Sequence, residues 1–385
     1  MDQEIEIESV NELKMLGLYY TNSFNQTSTR NWEQIINDIE KKLNKIYYKQ
    51  ATIFGRSILV NTYIEPKLIY PTMTLDPPTQ IVKSFKKLVR AFVFKGTLPC
   101  IKHITIIQTK SDGGINLHDI ESKIISFRFK YLYNIADNPE KFPLACFFLG
   151  NNLTPVFEQN EYEYNNGRIP QFYETIIQFF NTFKTIYTLS NSKTIYYNLV
   201  QNKKEPLVDQ VKRIDNNTDV KQLFKNIHGN RFTTPCQKQI SYRILFGITP
   251  TSEGLAKRHK RVFPCKICGQ YQETEEHLFF ECAFVRDTKL ELIKLLRQPH
   301  NTYFDPYNAI FLNTLTQQQN TTELFMLKLA FVAIYKETIW LVRNQTTHRN
   351  YRFSENKITS LFHCKIKHLF KSFQDCESVN LYIQS

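Results

Sequence analysis

Apolar residues recur at steps of three and four along much of the chain, a spacing that is typical of amphipathic helices. Trp32, Ile36, Ile39 and Leu43 predict a first helix that runs to about Tyr47. Further helices are predicted over 55–63 (ending near Pro66), 79–94, 120–135 and 323–344. One more helix is predicted to end at about Arg297. The chain is therefore predicted to be mainly α.

Two short segments have a different pattern. Residues 10–23 predict a short strand pair around Gly17, and the β-branched segment 101–109 predicts a third strand before the turn 111–114. Prolines and asparagines concentrate in 136–170, which predicts a boundary there. The expected fold is a helical bundle with an N-terminal β-hairpin, a small metal-binding module and C-terminal helices.

Composition narrows the class of protein. With 42% hydrophobic and 22% charged residues, the chain falls in the globular range, which excludes wholesale disorder. Its most apolar stretch, 324–342, is interrupted by Lys328, Lys336 and Glu337 and falls short of the ~18 uninterrupted apolar residues of a membrane span. The acidic N-terminus differs from a secretory signal. We expect an intracellular protein, nuclear or cytoplasmic, with no membrane partner.

Charge is distributed unevenly. The formal net charge is +13, yet residues 1–40 hold 8 acids against 2 bases. Residues 41–130 hold 16 bases against 5 acids. A second basic run, Lys257-Arg258-His259-Lys260-Arg261, lies further along. Such density indicates a polyanionic partner, RNA or DNA bound through its phosphates, although a solvated basic surface would give the same composition.

The most specific local pattern is formed by four residues, Cys265, Cys268, His277 and Cys282, with the spacing C-x2-C-x8-H-x4-C. Thiolate and imidazole ligands at such spacing are typical of tetrahedral Zn²⁺. Residues five apart on an ideal helix lie ~140° away from each other, so His277 is expected at or just before the first turn of a helix. Four ligands close the site, which favours a structural Zn²⁺ over a catalytic one.

Several chemistries lack their usual sequence signatures. The chain has no G-x-x-x-x-G-K-[ST] loop, no G-x-G-x-x-G and no G-x-S-x-G. It has no Asp-Asp pair of the kind that holds two catalytic metal ions. No small-molecule substrate is therefore indicated.

Taken together, the motifs resemble the C-terminal part of a non-LTR (LINE-type) retrotransposon reverse transcriptase. The resemblance covers about 10–135 and 240–350. It is carried by Leu13-Lys14-Met15-Leu16-Gly17-Leu18, Phe54-Gly55-Arg56-Ser57-Ile58-Leu59-Val60-Asn61, Phe92-Val93-Phe94-Lys95-Gly96, Gly113-Gly114-Ile115-Asn116-Leu117, Arg243 to Thr251, Glu273-Thr274, His277-Leu278-Phe279 and Trp340-Leu341-Val342-Arg343-Asn344. Phe94 stands where the family has Trp, and Asn116 where it has Gly.

The resemblance implies a division of the chain. Residues 1–25 would be a remnant of palm-edge strands, 26–135 a thumb-like helical domain, 136–235 a helical linker, 236–300 the zinc-binding module and 301–385 C-terminal helices. The catalytic Y-x-D-D and its partner aspartate would lie before residue 1, so no polymerase residue is assigned and no activity is expected of this chain alone. A palm-containing reverse-transcriptase chain is a candidate partner.

The resemblance also implies that thumb helices grip nucleic acid. The predicted contacts are Arg56, Lys83, Lys86, Lys87, Arg90, Lys95, Lys257, Arg258, Lys260 and Arg261. Two other functions stay open. One is a zinc-stapled scaffold whose apolar helices bind protein. The other is an endonuclease of a non-LTR element, for which the acids after Cys282 (Asp287 and Asp305) do not form the expected pattern.

Overall fold

The computed structural model describes residues 11–47, 50–95, 101–149, 169–182, 191–205, 211, 219–253, 263–270, 272–298, 304–315 and 322–384. Within these ranges the protein is mainly helical with one short antiparallel hairpin, as predicted. The chain separates into two compact units. Unit 1 comprises 1–98 and 116–204, and unit 2 comprises 99–115 and 205–385. No helix within the described ranges has the length and apolar character needed to cross a bilayer.

Unit 1 begins with the predicted hairpin, β1 (Glu12–Met15) and β2 (Leu18–Thr21). Asn31, in the first helix, holds β2 through its side-chain amide. Its Oδ1 accepts from the backbone N–H of Tyr19 at 2.9 Å, and its Nδ2 donates to the carbonyl of Tyr19 at 2.7 Å. The amide thus pairs with the backbone of Tyr19 much as a third strand would.

The helices of unit 1 follow in chain order. They are α1 (Phe24–Tyr47), α2 (Ile53–Leu59), a π-helical turn (Val60–Ile64), α3 (Glu65–Ile69), α4 (Thr79–Phe94), α6 (Ile120–Asp137), α7 (Pro143–Leu149), α8 (Gln171–Thr182) and α9 (Ser192–Asn202). Helix α5 (His103–Ile106) belongs to unit 2. The predicted stop at Pro66 is wrong. Pro66 is the second residue of α3, which follows the π-helical turn directly, so the chain stays helical to Ile69.

Helix α4 has the predicted bounds, and its apolar face packs inward. Val82, Phe85, Val89 and Phe92 are buried. The helix ends at Phe94, and the next residue, Lys95, caps it with a backbone in the left-handed conformation, φ 55°. A second cluster of buried side chains, including Phe129, Ile176 and Ile195, joins α6, α7, α8 and α9.

Unit 2 contains α5 (His103–Ile106) in the segment 101–109, which was predicted as a strand. That prediction is wrong. Its β-branched residues Ile106 and Ile107 are buried, and the carbonyl of Ile106 accepts from Ile115. Among the described residues no strand pairs with this segment, and β propensity yields to such packing.

The remaining elements of unit 2 surround one long helix. They are α10 (Val220–His228), α11 (Pro235–Leu245), a π-helical turn (His277–Glu281), α12 (Arg286–Arg297), α13 (Pro306–Leu312), α14 (Thr322–Arg349), α15 (Glu355–Ser372) and α16 (Glu377–Gln384). Helix α14 lies at the centre and is buried over most of its length. Cys265 and Cys282 belong to the same hydrophobic core as α14 and α15, so the predicted 236–300 module shares its core with the C-terminal helices.

Candidate metal centre

The four sequence-predicted ligands meet in unit 2. The thiols of Cys265, Cys268 and Cys282 and the imidazole of His277 place their ligand atoms within 4.8 Å of one another. Nε2 of His277 lies 3.3 Å from Sγ of Cys268. Cys265, His277 and Cys282 are buried, and Cys268 is half-buried. These residues could hold a metal ion.

The first two ligands lie in a tight turn. The carbonyl of Cys265 accepts from the N–H of Gly269 at 2.8 Å, and Gly269 has φ 75°, which favours glycine. An isolated antiparallel bridge between Pro264 and Gln272 closes the turn. The backbone N–H groups of Ile267 and Cys268 point at the sulfur of Cys265, which suits a thiolate.

The other two ligands bracket a π-helical turn, which the sequence did not predict. Its backbone bond runs from the N–H of Cys282 to the carbonyl of His277 at 2.8 Å. A bond between residues five apart brings Cys282 back over His277, whereas an ordinary α-helix would turn them apart. His277 does begin the turn, as expected. The N–H of His277 donates to Oγ1 of Thr274 at 2.9 Å.

Two side chains support the carbonyls of this turn. The hydroxyl of Tyr335, on α14, donates to the carbonyl of Phe279 at 2.7 Å. Nζ of Lys289, on α12, donates to the carbonyl of Phe280 at 2.7 Å and lies 4.0 Å from the ring centre of Phe280. The turn is therefore fixed from two helices.

The two buried thiols are electrostatically coupled. Hydrogen bonding between them lowers the pKa of Cys265 and raises that of Cys282, so the Cys282 thiol donates its proton to the sulfur of Cys265. A divalent cation bound between them would replace that proton and favour thiolate at both positions. The chemistry of the donor set thus fits a metal ion.

A buried carboxylate joins the centre to two other segments. Oε2 of Glu273 accepts from the N–H of Lys266, within the C-x-x-C turn, at 3.1 Å. Oε1 of Glu273 accepts from the N–H of Ser252 at 2.8 Å and from Nη2 of Arg343 at 2.8 Å. Nearby, Oε1 of Glu275 accepts from the N–H of Thr249 at 3.0 Å. Glu273 is fully buried.

Sequence reasoning did not assign roles to Glu273, Glu275, Arg343 or Tyr335. A signal existed for Arg343, because an arginine inside a strongly apolar helix indicates a buried acidic partner. No comparable signal identified Glu273 as that partner, since it lies 70 residues away in a polar stretch.

The predicted nucleic-acid contacts other than Arg56 divide into three groups. Lys83, Lys87 and Lys95 are exposed, and Arg90 is half-buried. Nζ of Lys86 is 2.8 Å from Oε1 of Glu121. The basic run at Lys257, Arg258, Lys260 and Arg261 lies outside the described residues.

Arg56 is buried, which contradicts its predicted role as a nucleic-acid contact. Its side chain is 1% exposed, donates to the carbonyls of Ala51 (3.2 Å) and Phe92 (2.7 Å), and packs against the ring of Phe92. Burial lowers its pKa. A side chain so enclosed holds α2 against α4 and cannot reach a phosphate.

The fold and the site therefore define a mainly helical protein with a buried Cys₃His cluster that could hold a metal ion. No protein-family model matches the chain.

Proposed function

We propose that this protein binds nucleic acid through its phosphate backbone and that a structural Zn²⁺ stabilises it, as in the C-terminal part of a LINE-type reverse transcriptase. One observation carries the proposal. Three separate segments that carry the family resemblance, 243–251, 273–279 and 340–344, meet beside the metal centre. The N–H of Thr249 donates to Glu275, and Arg343 donates to Glu273. A chance collection of short matches would have no reason to share one buried network.

Zinc is the metal that the donor set favours. Three thiolates and one imidazole are soft or borderline ligands, which suit Zn²⁺ and disfavour Mg²⁺ or Ca²⁺. Zn–S bonds of about 2.3 Å and a Zn–N bond of about 2.0 Å place tetrahedral ligand atoms roughly 3.4–3.8 Å apart. The four atoms here lie within 4.8 Å, and four protein ligands leave no open position for catalysis.

Helix α4 is the proposed nucleic-acid contact in unit 1. Its apolar face is buried, which leaves Lys83 and Lys87, one turn apart, on the exposed side. Lysines so placed can follow the phosphates of one strand without reading bases. Lys86 contributes less because Glu121 already neutralises it.

The test is a salt series on the purified full chain, with a primer–template duplex as ligand and metal analysis of the same sample. We expect one zinc per chain and an affinity that falls linearly in a plot of log K against log salt concentration. Substituting Lys83→Gln and Lys87→Gln together should make the slope less steep by about 1.8, since each lost phosphate contact removes about 0.9.

A matched control is available in unit 2. Lys367 and Lys371 are also exposed, also one turn apart, and lie on α15. Lys367→Gln with Lys371→Gln removes the same charge and should leave the slope unchanged. Equal effects of the two pairs would show that only net charge matters, and the assignment of α4 would fail.

The remaining functions predict other results. A protein-binding scaffold predicts bound zinc with no salt-dependent affinity for nucleic acid. An endonuclease predicts cleavage of the duplex in the presence of Mg²⁺. Either result would replace the present proposal.

A further inference from the structure

Unit 1 contains a semi-enclosed cavity of about 310 Å³ where the start of α6 faces the start of α9. That volume is at the lower end of the roughly 300–1,000 Å³ typical of small-ligand sites. None of the predicted nucleic-acid contacts and none of the metal ligands lines it. Basic and aromatic side chains line it together with two serines. The basic ones are His118, Lys123 and Lys193, and the aromatic ones are Phe127, Tyr196 and Tyr197.

The wall is basic. Among its described lining residues there are two lysines and a histidine but no carboxylate. Two acids that act on the lining residue Tyr196, Glu65 and Asp119, are already paired. Glu65 is bonded to His118, and Asp119 lies 2.7 Å from Nζ of Lys203. An anion entering the cavity would therefore meet positive charge without a competing carboxylate.

His118 is held in a defined orientation. Its Nδ1 lies 2.5 Å from Oε2 of Glu65, which is 4% exposed, and its backbone N–H donates to Oδ1 of Asn61 at 3.0 Å. An ionised carboxylate only accepts, so Nδ1 donates to Glu65, and Nε2 donates to a phosphate oxygen when it also carries a hydrogen.

Two lysines, on different helices, line the same cavity. Nζ of Lys123 lies 5.0 Å from the ring centre of Tyr196, a cation–π distance. Lys193 is the second residue of α9, and its backbone N–H is capped by Oδ1 of Asn191 at 2.8 Å. The positive end of the α9 dipole adds to the attraction for an anion there.

The aromatic part of the wall offers a surface for a planar ring. Tyr197 is 46% exposed and Phe127 is half-buried, and both line the cavity. The rings of Tyr196 and His118, which also line the cavity, pack edge to face with their centres 5.6 Å apart. Side chains of this kind stack on nucleobases whatever their sequence.

We propose that this cavity binds a single nucleotide, with its phosphate near Lys123, Lys193 and His118 and its base against Tyr197 and Phe127. A free mononucleotide and the terminal phosphorylated nucleotide of a single strand share this chemistry. The site does not depend on α4 binding a duplex, and it goes beyond the proposed function.

The test is calorimetric titration of the full chain with AMP, ribose 5-phosphate and adenosine. Stacking should make AMP bind at least about fivefold more tightly than ribose 5-phosphate. Adenosine, which lacks the phosphate, should bind at least about tenfold more weakly than AMP. Equal affinity for AMP and either fragment, or no saturable binding of AMP, would overturn the proposal.

Variants locate the binding. Lys123→Gln with Lys193→Gln should weaken AMP at least tenfold, whereas Lys367→Gln with Lys371→Gln, equal in charge, should not. Tyr197→Leu should abolish the difference between AMP and ribose 5-phosphate. Circular dichroism and thermal unfolding of each variant check that the fold is kept. AMP affinity that is unchanged in the Lys123/Lys193 variant would place the ligand elsewhere and reject the site.

Two further arms separate the sources and the two proposals. A 5′-phosphorylated hexanucleotide that binds more tightly than AMP and than its 5′-hydroxyl form identifies a strand end, whereas AMP binding more tightly identifies a free nucleotide. The Lys123/Lys193 variant should retain the salt slope for the duplex. If it loses duplex affinity as much as AMP affinity, the lysines are general backbone contacts and the cavity is not a nucleotide site.

Discussion

Arg343 and Glu273 form an ion pair inside unit 2, with Nη2 of Arg343 2.8 Å from Oε1 of Glu273 and the two side chains 7% and 0% exposed. Nε of Arg343 reaches both carboxylate oxygens, at 3.2 and 3.3 Å. The pair links α14 to the C-x-x-C turn, because Glu273 also accepts from the N–H of Lys266. The metal centre is thereby attached to α14, the longest of the described helices, through a charge pair as well as through apolar packing.

Removing one partner of this pair should be costly. Arg343→Met leaves the Glu273 carboxylate buried without its cation and should lower the free energy of unfolding by about 3–5 kcal/mol, measured by urea denaturation. Arg349→Met, an exposed position on the same helix, is the control and should change it by less than about 0.5 kcal/mol. The double change Arg343→Met with Glu273→Leu should cost less than Arg343→Met alone. A larger loss would mean that the bonds of Glu273 to the N–H groups of Ser252 and Lys266, and not the uncompensated charge, dominate.

Metal removal should unfold part of unit 2. Cys268→Ser should reduce bound zinc from one per chain to a small fraction, measured by elemental analysis. A chelator should then lower the melting temperature of the parent protein but not that of the variant. Metal removal should lower the free energy of unfolding by several kcal/mol. This is a part of the ~10–16 kcal/mol with which structural zinc binds zinc-finger peptides.

Cys364→Ser is the matched control for the metal site, since Cys364 is an exposed thiol outside the cluster. It should keep its zinc and its response to the chelator. Full zinc content in the Cys268 variant would count against a four-ligand centre.

Gly114 and Gly55 should respond oppositely to alanine. A Cβ at Gly114 would lie 1.9 Å from the carbonyl oxygen of Gln108, a backbone atom that cannot move aside alone. Gly114→Ala should therefore lower the free energy of unfolding by at least about 2 kcal/mol. At Gly55, in α2, the nearest side-chain atom is at 3.5 Å, so Gly55→Ala should be neutral or stabilising by up to about 1 kcal/mol. Thermal unfolding of both variants measures these changes. A Gly114→Ala variant as stable as the parent protein would contradict the close approach of the backbones at Gly114 and Gln108.

Lys336 should make the stability of the protein depend on pH. Its side chain is fully buried, with Nζ 2.7 Å from Oδ1 of Asn313, and burial lowers its pKa to about 7. The unfolded chain binds this proton with the ordinary pKa of 10.5. Between these values the unfolded state holds more protons, so the free energy of unfolding should rise with pH by up to about 1.4 kcal/mol per unit.

Lys336→Met should reduce this rise and leave the part due to buried Lys328, whose pKa burial lowers to about 8. It should also stabilise the protein at pH 7, because the Lys336 ammonium group no longer has to be buried. Lys367→Met, at an exposed position, should leave the pH dependence intact. Urea denaturation at pH 7, 8 and 9 measures both. Identical pH profiles for the parent protein and the Lys336 variant would show that the buried amine does not titrate in this range.

Local pattern predicted most of the elements and failed where distant contacts decide. The apolar spacing in α4 gave both of its ends, because burial of Val82, Phe85 and Val89 on one side is the main force that shapes it. The segment 101–109 has the β-branched composition of a strand but forms α5, because its isoleucines are buried in a unit built largely from residues after 205. Nothing in its own sequence indicates those neighbours.

The candidate site shows the same division. The spacing of Cys265, Cys268, His277 and Cys282 identified the ligands directly, since metal chemistry restricts both residue type and distance. The π-helical turn was not predicted, although the five-residue spacing of His277 and Cys282 required some departure from an α-helix. Arg56 was misassigned because charge alone does not distinguish a surface cation from one that bonds buried carbonyls.

The interleaved order of the two units has a consequence for synthesis. Residues 99–115 leave the ribosome long before the rest of unit 2, including Tyr242, whose buried hydroxyl donates to the carbonyl of Gly113 at 3.0 Å. At about 5–20 residues per second, the gap between Gly113 and Tyr242 corresponds to roughly 6–26 s of translation. During that interval Ile106 and Ile107 have no native neighbours from beyond residue 205. The nascent chain is then most exposed to aggregation and to binding by chaperones.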